Sequence, residues 1–289
     1  MQNKELPDFF SKKENEFWMT EDERGTMKLN YRLKNIISAK HSQYQHVAIV
    51  DSYDFGRCLV LDGIIQTTAL DGCIYNEMIS HVPLVTHPNP QNVLIIGGGD
   101  CGAANEVSKY DEPQSIDMVE IDAVVVEECR KHLPEVAGQG DMDKRVNILY
   151  KDGLVHVKEK TDHYDIAIID SSDPVGPATK LFEKEFYTDV SRCLKEDGLM
   201  VCQSESPVFY RDIMLKTFNT LKELFPIVRL YLAVVPSYPG GLWSFTLASK
   251  KYDPLNADLT RLCKHTKYIN QGVFKGSFNL PNFMREYIE

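Results

Sequence analysis

Two carboxylates three residues apart, Asp170 and Asp173, end the apolar run Tyr164–Ile169 in the segment Asp170-Ser171-Ser172-Asp173-Pro174. Acidic groups that close raise each other's cost of ionisation unless cations meet them, and a small amine supplies such cations. The local alternative is an Asx-type turn, with Asp173 set before Pro174. A further acid, Glu205, follows the apolar run Leu199–Gln203. Tyr75 and Tyr238 offer ring faces and hydroxyls suited to an alkylammonium, although each also fits simple packing. Asp170, Asp173 and Glu205 together read as an anionic slot.

A second constellation points to a nucleoside. Val93–Ile96 leads into Gly97-Gly98-Gly99-Asp100-Cys101-Gly102, in which Gly97, Gly99 and Gly102 fit G-x-G-x-x-G. Glycines there let the backbone turn tightly and approach a ligand. Glu120 ends the next apolar run, where an acidic side chain bonds ribose hydroxyls. A third run leads to Asp152-Gly153. Asp100 stands at a helix start, where its charge repels a pyrophosphate and attracts a cation, or where it serves as an N-cap. These features fit a dinucleotide and an adenosyl-sulfonium compound alike.

With a sulfonium the chemistry is positional. The leaving group is good, so the protein must align an amine lone pair with the S–C bond. The attacking amine must be neutral while nearby carboxylates favour its charged form. The conflict is resolved if the distal ammonium stays charged among the acids and the attacking nitrogen gives its proton to Asp170, or through it to water.

Such residues must be held by a framework, and the sequence reads as α/β. Residues 1–69 form a β-rich domain: Leu29, Tyr31 and Leu33 alternate with polar neighbours, and Asp62-Gly63 marks a hairpin between Cys58–Leu61 and Ile64–Thr68. Residues 70–289 form the second domain. A helix carries Ile74, Met78, Ile79 and Val82, with Pro83 near its end. Strands and helices then alternate: strands at Val93–Ile96, Ile116–Glu120, Val146–Tyr150, Tyr164–Asp170 and Leu199–Gln203, with helices at Gly102–Tyr110, Val124–His132, Glu183–Leu194 and Asp212–Phe225. That pattern implies a mostly parallel, doubly wound sheet with its site at the carboxyl strand ends. Ile227–Val235 and Trp243–Ser249, joined only by Pro236–Gly241, imply a terminal antiparallel pair.

The residues resemble the spermidine synthase family of aminopropyltransferases over nearly the whole chain. The stretches that carry the resemblance are Gly56–Thr68, Gly97–Gly102, Glu120–Asp122, Asp170–Ala178 and Pro236–Phe245, in the family's order. The resemblance implies a small N-terminal antiparallel β domain and a methyltransferase-like Rossmann domain, in a homodimer. It implies transfer of the aminopropyl group of decarboxylated S-adenosylmethionine to putrescine, with no metal and no cofactor beyond that co-substrate. Glu120 would hold the ribose, Asp152 the adenine amino group and Asp100 the aminopropyl amine. Gln45, Gln66, Gly97, Gly99, Gly153 and Pro177 would complete the donor site. Asp170 would assist the attacking amine. Asp173, Tyr75 and Tyr238 would place the diamine, with Glu205 and Trp18 near its far end, and Ser171–Phe182 would close over the site. The chain departs from the family at Cys101, where Gly is usual, at Asn105, where Arg is common, and at Asn76, where His or Gln is common. Asn76 bears on the acceptor, which leaves cadaverine, agmatine and spermidine as alternatives to putrescine. Cys101 reads either as an inert buried thiol or as a reactive one at a helix start.

Composition narrows the classes. A net charge of −10 argues against a nucleic-acid surface, which needs clustered Lys and Arg. No apolar run is long enough for a bilayer, and Met1–Asn15 has no secretory apolar core. Seven scattered cysteines, none in C-x-x-C, suit a reducing cytoplasm better than a disulfide or zinc framework. The rivals are an S-adenosylmethionine-dependent amine methyltransferase on the same fold, a nicotinamide dehydrogenase, and a polyamine-binding sensor. No histidine stands among the strand-end acids to serve hydride transfer.

Overall fold

The computed structural model describes residues 6–173 and 176–288. They gather into two compact units. One holds residues 6–72 with Gly99–Cys101 and Asp122–Gly140; the other holds Cys73–Gly98, Gly102–Ile121 and residues 141–288. Compactness thus divides the chain less simply than a single boundary at residue 69.

The first unit is a six-stranded antiparallel sheet in sequence order: β1 (Phe10–Lys13), β2 (Glu16–Glu23), β3 (Met27–His41), β4 (His46–Ser52), β5 (Gly56–Leu61) and β6 (Ile64–Thr68). In β3 the half-buried Met27, Leu29 and Tyr31 alternate with exposed Lys28, Asn30 and Arg32, the period-2 signature of a sheet with one wet face. Asp62 (φ 47°) and Gly63 (φ 88°) turn β5 into β6, both left-handed as a two-residue hairpin requires. Met19, Leu33, Val50, Val60 and Ile65 fill the core. The helix Ala123–His132 belongs to this unit. Lys40 pairs with the buried Glu128, and Arg57 Nη1 donates to the carbonyl of His132 at 2.7 Å, where the helix dipole favours a cation.

The second unit is a seven-stranded sheet. Its strands are β7 (Asn92–Gly97), β8 (Ser115–Glu120), β9 (Val146–Tyr150), β10 (Tyr164–Asp170), β11 (Leu194–Gln203), β12 (Ile227–Val234) and β13 (Leu242–Ser249), in the order β12-β13-β11-β10-β7-β8-β9. β7 to β11 run parallel, and β13 is antiparallel to both β11 and β12. The central strands are apolar on both faces, because helices cover both. The chain steps outward from β7 through β8 and β9, then returns to place β10 on the other flank of β7. That reversal falls between β7 and β10, and in sheets of this kind ligands bind outside the carboxyl strand ends at such a point.

The helix Gly102–Val107 stops three residues before the expected Tyr110. Lys109 N and Tyr110 N reach only three residues back, to the carbonyls of Glu106 and Val107. Beneath the sheet, His156 is 2% exposed. Its Nε2 donates to Tyr164 Oη (2.7 Å), whose hydroxyl donates to Asp117 Oδ2 (2.8 Å). Burial, reinforced by Lys151 and Lys160, pushes the His156 imidazole down to about 4. The folded chain therefore disfavours the protonated ring. This contribution is complete above about pH 6.5 and is lost as pH falls toward 4, by up to about 3 kcal/mol. Urea titrations of His156→Gln across that window should show a shallower loss of stability than the parent; parallel curves would mean that His156 is not the group responsible.

Candidate active site

Asp170 is the last residue of β10 and lies in register with Gly97, the last residue of β7. Gly98 N donates to its carbonyl (3.0 Å) and Tyr75 Oη donates to its Oδ1 (2.7 Å). Its Oδ2 lies 3.2 Å from where a Cβ on Gly98 would stand, so that glycine leaves room for the carboxylate. A Cβ on Gly97 would stand 2.2 Å from the Asp170 carbonyl oxygen. The glycine at 97, read from sequence as room to turn and approach a ligand, also makes room for Asp170, and Gly98, which the motif leaves open, makes way for the same residue. The third glycine of the motif serves packing as well: a Cβ on Gly102 would meet the side chain of buried Asn76. Gly153 likewise makes way for Ile96.

Aromatic rings line the same edge. Tyr75 is buried, with its ring 5.9 Å from Tyr238 and 5.4 Å from Phe245; Tyr238 in turn packs edge-on against Trp243 at 4.6 Å. Edge-to-face packing fixes the rings, and so the Tyr75 hydroxyl that aims at Asp170.

Gln203 ends β11 and Glu205 follows two residues on, both buried. Gln203 Oε1 accepts from Glu205 N (2.9 Å), while its Nε2 donates to Glu205 Oε1 (3.2 Å) and to the Ser171 carbonyl (3.4 Å). Glu205 has φ 68°, a left-handed conformation that costs a non-glycine about 1–2 kcal/mol. Ser244 Oγ donates to its carbonyl at 2.7 Å and helps to hold it there. Gln203 is the site residue that sequence reasoning passed over. It ends the apolar run Leu199–Gln203, and that place at a carboxyl strand end is the signal the sequence offers.

Glu120 ends β8, nine-tenths buried. Asp152 caps the helix Gly153–Lys158, accepting from Leu154 N at 2.8 Å. Asp173 is half-buried beyond β10. Pro174 and Val175 lie outside the described residues. Pro177 falls in a 3₁₀ turn, Gly176–Phe182, and its side chain lies outside the described set. The second unit therefore brings Tyr75, Gly97, Asp170, Glu205 and Tyr238 into one connected arrangement and places Glu120 and Asp152 at neighbouring strand ends.

Gln45, Gln66, Gly99, Asp100 and Trp18 belong to the first unit. Gln45 Nε2 donates to Asp122 Oδ2 at 3.0 Å, and Gln66 Nε2 to the carbonyl of Ile64 at 3.4 Å. Asp100 is half-buried. Trp18 lies on β2 opposite Arg32 and borders a shallow recess with Lys13, Glu14, Glu16 and Asn30. Cys101 is fully buried at φ 65°, with Sγ 3.8 Å from the carbonyl of Gly99. The buried thiol should resist iodoacetamide in the native protein and react only as the chain unfolds in denaturant. Labelling as fast as that of a small thiol would mean that this turn opens in the folded state. Cys101→Gly should change stability by less than about 1 kcal/mol, since relief of the left-handed strain offsets the lost burial and the added chain entropy.

One further polar cluster, His87, Asp165 and Asp197, lies at the opposite ends of the strands. Lys195 Nζ sits 2.8 and 2.9 Å from the two Asp165 oxygens, and Asn89 N donates to His87 Nδ1 at 3.2 Å. The His87 proton therefore sits on Nε2, and burial lowers the tendency of that ring to charge. The cation of this cluster is Lys195.

Comparison with known proteins gives the family and the fold. The family profile "Spermine/spermidine synthase domain" matches residues 72–258, and "Spermidine synthase tetramerisation domain" matches residues 17–69. The polyamine aminopropyltransferase of Caldicellulosiruptor bescii is 47% identical over 96% of this chain and 99% of its own. That of Methanocaldococcus jannaschii is 45% identical over 94% and 95%. A crystal structure of spermidine synthase in complex with the transition-state analogue AdoDATO matches with a TM-score of 0.90 at 37% identity, covering 94% of both chains. Its fold is the one described here, a small antiparallel β domain with a mixed α/β sheet domain. The chain belongs to the spermidine synthase family, and it is a polyamine aminopropyltransferase.

Proposed function

We propose that the chain transfers the aminopropyl group of decarboxylated S-adenosylmethionine to putrescine, releasing methylthioadenosine and forming spermidine. The observation that carries this reading is the Asp170 carboxylate at the carboxyl end of β10, held by Tyr75, whose ring packs against that of Tyr238, and one strand from buried Glu205. A nitrogen lone pair of the amine attacks the carbon bound to sulfur. The C–S bond breaks with its electrons going to sulfur, and the sulfonium becomes a neutral thioether. The new ammonium gives its proton to Asp170, or through it to water. Tyr75 orients the Asp170 carboxylate and, with Asp173 and Tyr238, places the diamine, with Glu205 and Trp18 near its far end. Glu120 and Asp152 take the ribose and the adenine, Asp100 the aminopropyl amine, and Gln45, Gln66, Gly97, Gly99, Gly153 and Pro177 line the donor. Decarboxylated S-adenosylmethionine carries no carboxylate, which suits a donor site beside Asp100.

The test is an amine panel with decarboxylated or intact S-adenosylmethionine, read by mass spectrometry. Spermidine and methylthioadenosine from putrescine with the decarboxylated donor alone are the expected products. Preferred transfer to cadaverine, agmatine or spermidine would overturn the acceptor, and methylation from the intact donor would overturn the reaction. The match to the tetramerisation domain over residues 17–69 supports an oligomer, with a homodimer as the finer reading. Light scattering on the purified protein gives the subunit number. No helix among the described residues is long and apolar enough to cross a membrane.

A further inference from the structure

Asp122 stands two residues beyond Glu120 and is 1% exposed. It caps the helix Ala123–His132, with Oδ1 accepting from Val124 N at 3.1 Å. Its other oxygen is committed elsewhere. Oδ2 accepts from Ser42 Oγ at 2.7 Å and from Gln45 Nε2 at 3.0 Å. Ser42 and Gln45 span the turn between β3 and β4, nearly eighty residues away in sequence. Within that turn Ser42 N donates to the Gln45 carbonyl (2.9 Å), and Ser42 Oγ accepts from Tyr44 N (3.0 Å) and Gln45 N (3.1 Å). One carboxylate oxygen thus fixes both the backbone and the side chain of Gln45.

The chemistry of this contact carries directional information. An ionised carboxylate only accepts hydrogen bonds, and a primary amide has one accepting end and one donating end. Asp122 therefore obliges Gln45 to turn Nε2 toward it and to present Oε1 on the other side. An amide oxygen held that way meets hydroxyl or ammonium groups and disfavours acceptors. We infer that Asp122 is a positioning residue for the donor substrate, acting through the orientation of the Gln45 amide. The inference rests on the proposed donor role of Gln45.

Asp122→Asn separates this role from helix capping. Asparagine caps about as well as aspartate, but it places an NH₂ group or a weaker neutral acceptor where Oδ2 stood. Gln45 is then free to turn its amide over or to lose its anchor. Steady-state kinetics on the full chain should show the donor KM raised about tenfold or more, in line with the loss of one charge-assisted hydrogen bond. The kcat at saturating donor and the amine KM should stay within about twofold. Gln45→Ala should raise the donor KM by a similar factor, and Asp122→Asn added to Gln45→Ala should raise it no further.

Three results would overturn the inference. In the first, Gln45→Ala raises the donor KM and Asp122→Asn does not, which leaves the donor role of Gln45 standing without Asp122. In the second, Asp122→Asn has its full effect in the Gln45→Ala background, which means that it acts through the turn or the helix. In the third, Gln45→Ala leaves the donor KM unchanged, which removes the donor role of Gln45 and the inference with it.

Discussion

Asp170→Asn is expected to lower kcat by about 10²–10⁴-fold, the range for loss of a positioned proton acceptor. The substitution is close to isosteric, and an asparagine Oδ1 still accepts from the Tyr75 hydroxyl that now lies 2.7 Å from Asp170 Oδ1. The backbone bond from Gly98 N to the residue 170 carbonyl is untouched. The fold should therefore survive while the charge and the proton-accepting oxygen are lost. Tyr75→Phe provides the complementary change, since it keeps the charge and removes the hydroxyl that aims it. Its loss in kcat should be smaller, about 10-fold, in line with one hydrogen bond to a charged group. Measuring kcat for both variants between about pH 6 and 9 distinguishes proton transfer from mere orientation. Near-parental turnover by Asp170→Asn at every pH would show that Asp170 neither accepts the proton nor orients the amine.

The second large effect is structural. Gly97→Ala should destabilise the protein by about 3–5 kcal/mol, among the largest effects of a single substitution. Gly97 has φ 82°, and a Cβ there would stand 2.2 Å from the Asp170 carbonyl oxygen and 2.9 Å from its carbonyl carbon. Both are backbone atoms of the central strand β10, so no rotamer change relieves the clash. Either the ends of β7 and β10 part, or the Gly98 N–H to Asp170 bond breaks. In both cases Asp170 moves, and activity should fall together with stability. Gly140 is the control. It has the same φ of 82° and nothing within 4 Å of its would-be Cβ. Gly140→Ala should show only the backbone term, about 1–2 kcal/mol. Urea midpoints for the two variants isolate the clash. Equal losses would mean that β7 and β10 yield easily and that close approach is not what requires glycine at 97.

Much of this protein is legible in its sequence because the signals involved are local. Alternation through Met27–Leu33 and the Asp62-Gly63 pair set a hairpin sheet, since side-chain period and left-handed turn chemistry are decided within a few residues. Alternating apolar runs and helices with acids at strand ends likewise mark the doubly wound sheet and its working edge. The turn Pro236–Gly241 announces the antiparallel pair of β12 and β13. Other elements are hidden for a physical reason. β2 carries Glu21 and Glu23, charged residues that read as surface, yet both are buried. Glu21 is satisfied by Tyr31 Oη at 2.8 Å and Ile65 N at 3.2 Å, partners supplied only by folding. The short helices Gln271–Ser277 and Asn282–Ile288 are too brief to declare themselves by periodicity, since isolated helices of that length are unstable.

The tertiary structure alone decided how the site residues are held. Tyr75 and Asp170 stand ninety-five residues apart and meet because the helix Gly72–Thr86 lies over the end of β10. Gln203 is committed to Glu205 and Ser171 by strand order, and Asp122 to Gln45 by the packing of a helix onto a hairpin. The sequence determines which candidate side chains stand at the strand ends and at which end they emerge. Which oxygen faces which donor is a property of long-range contacts, whose closure entropy and geometry no local pattern encodes.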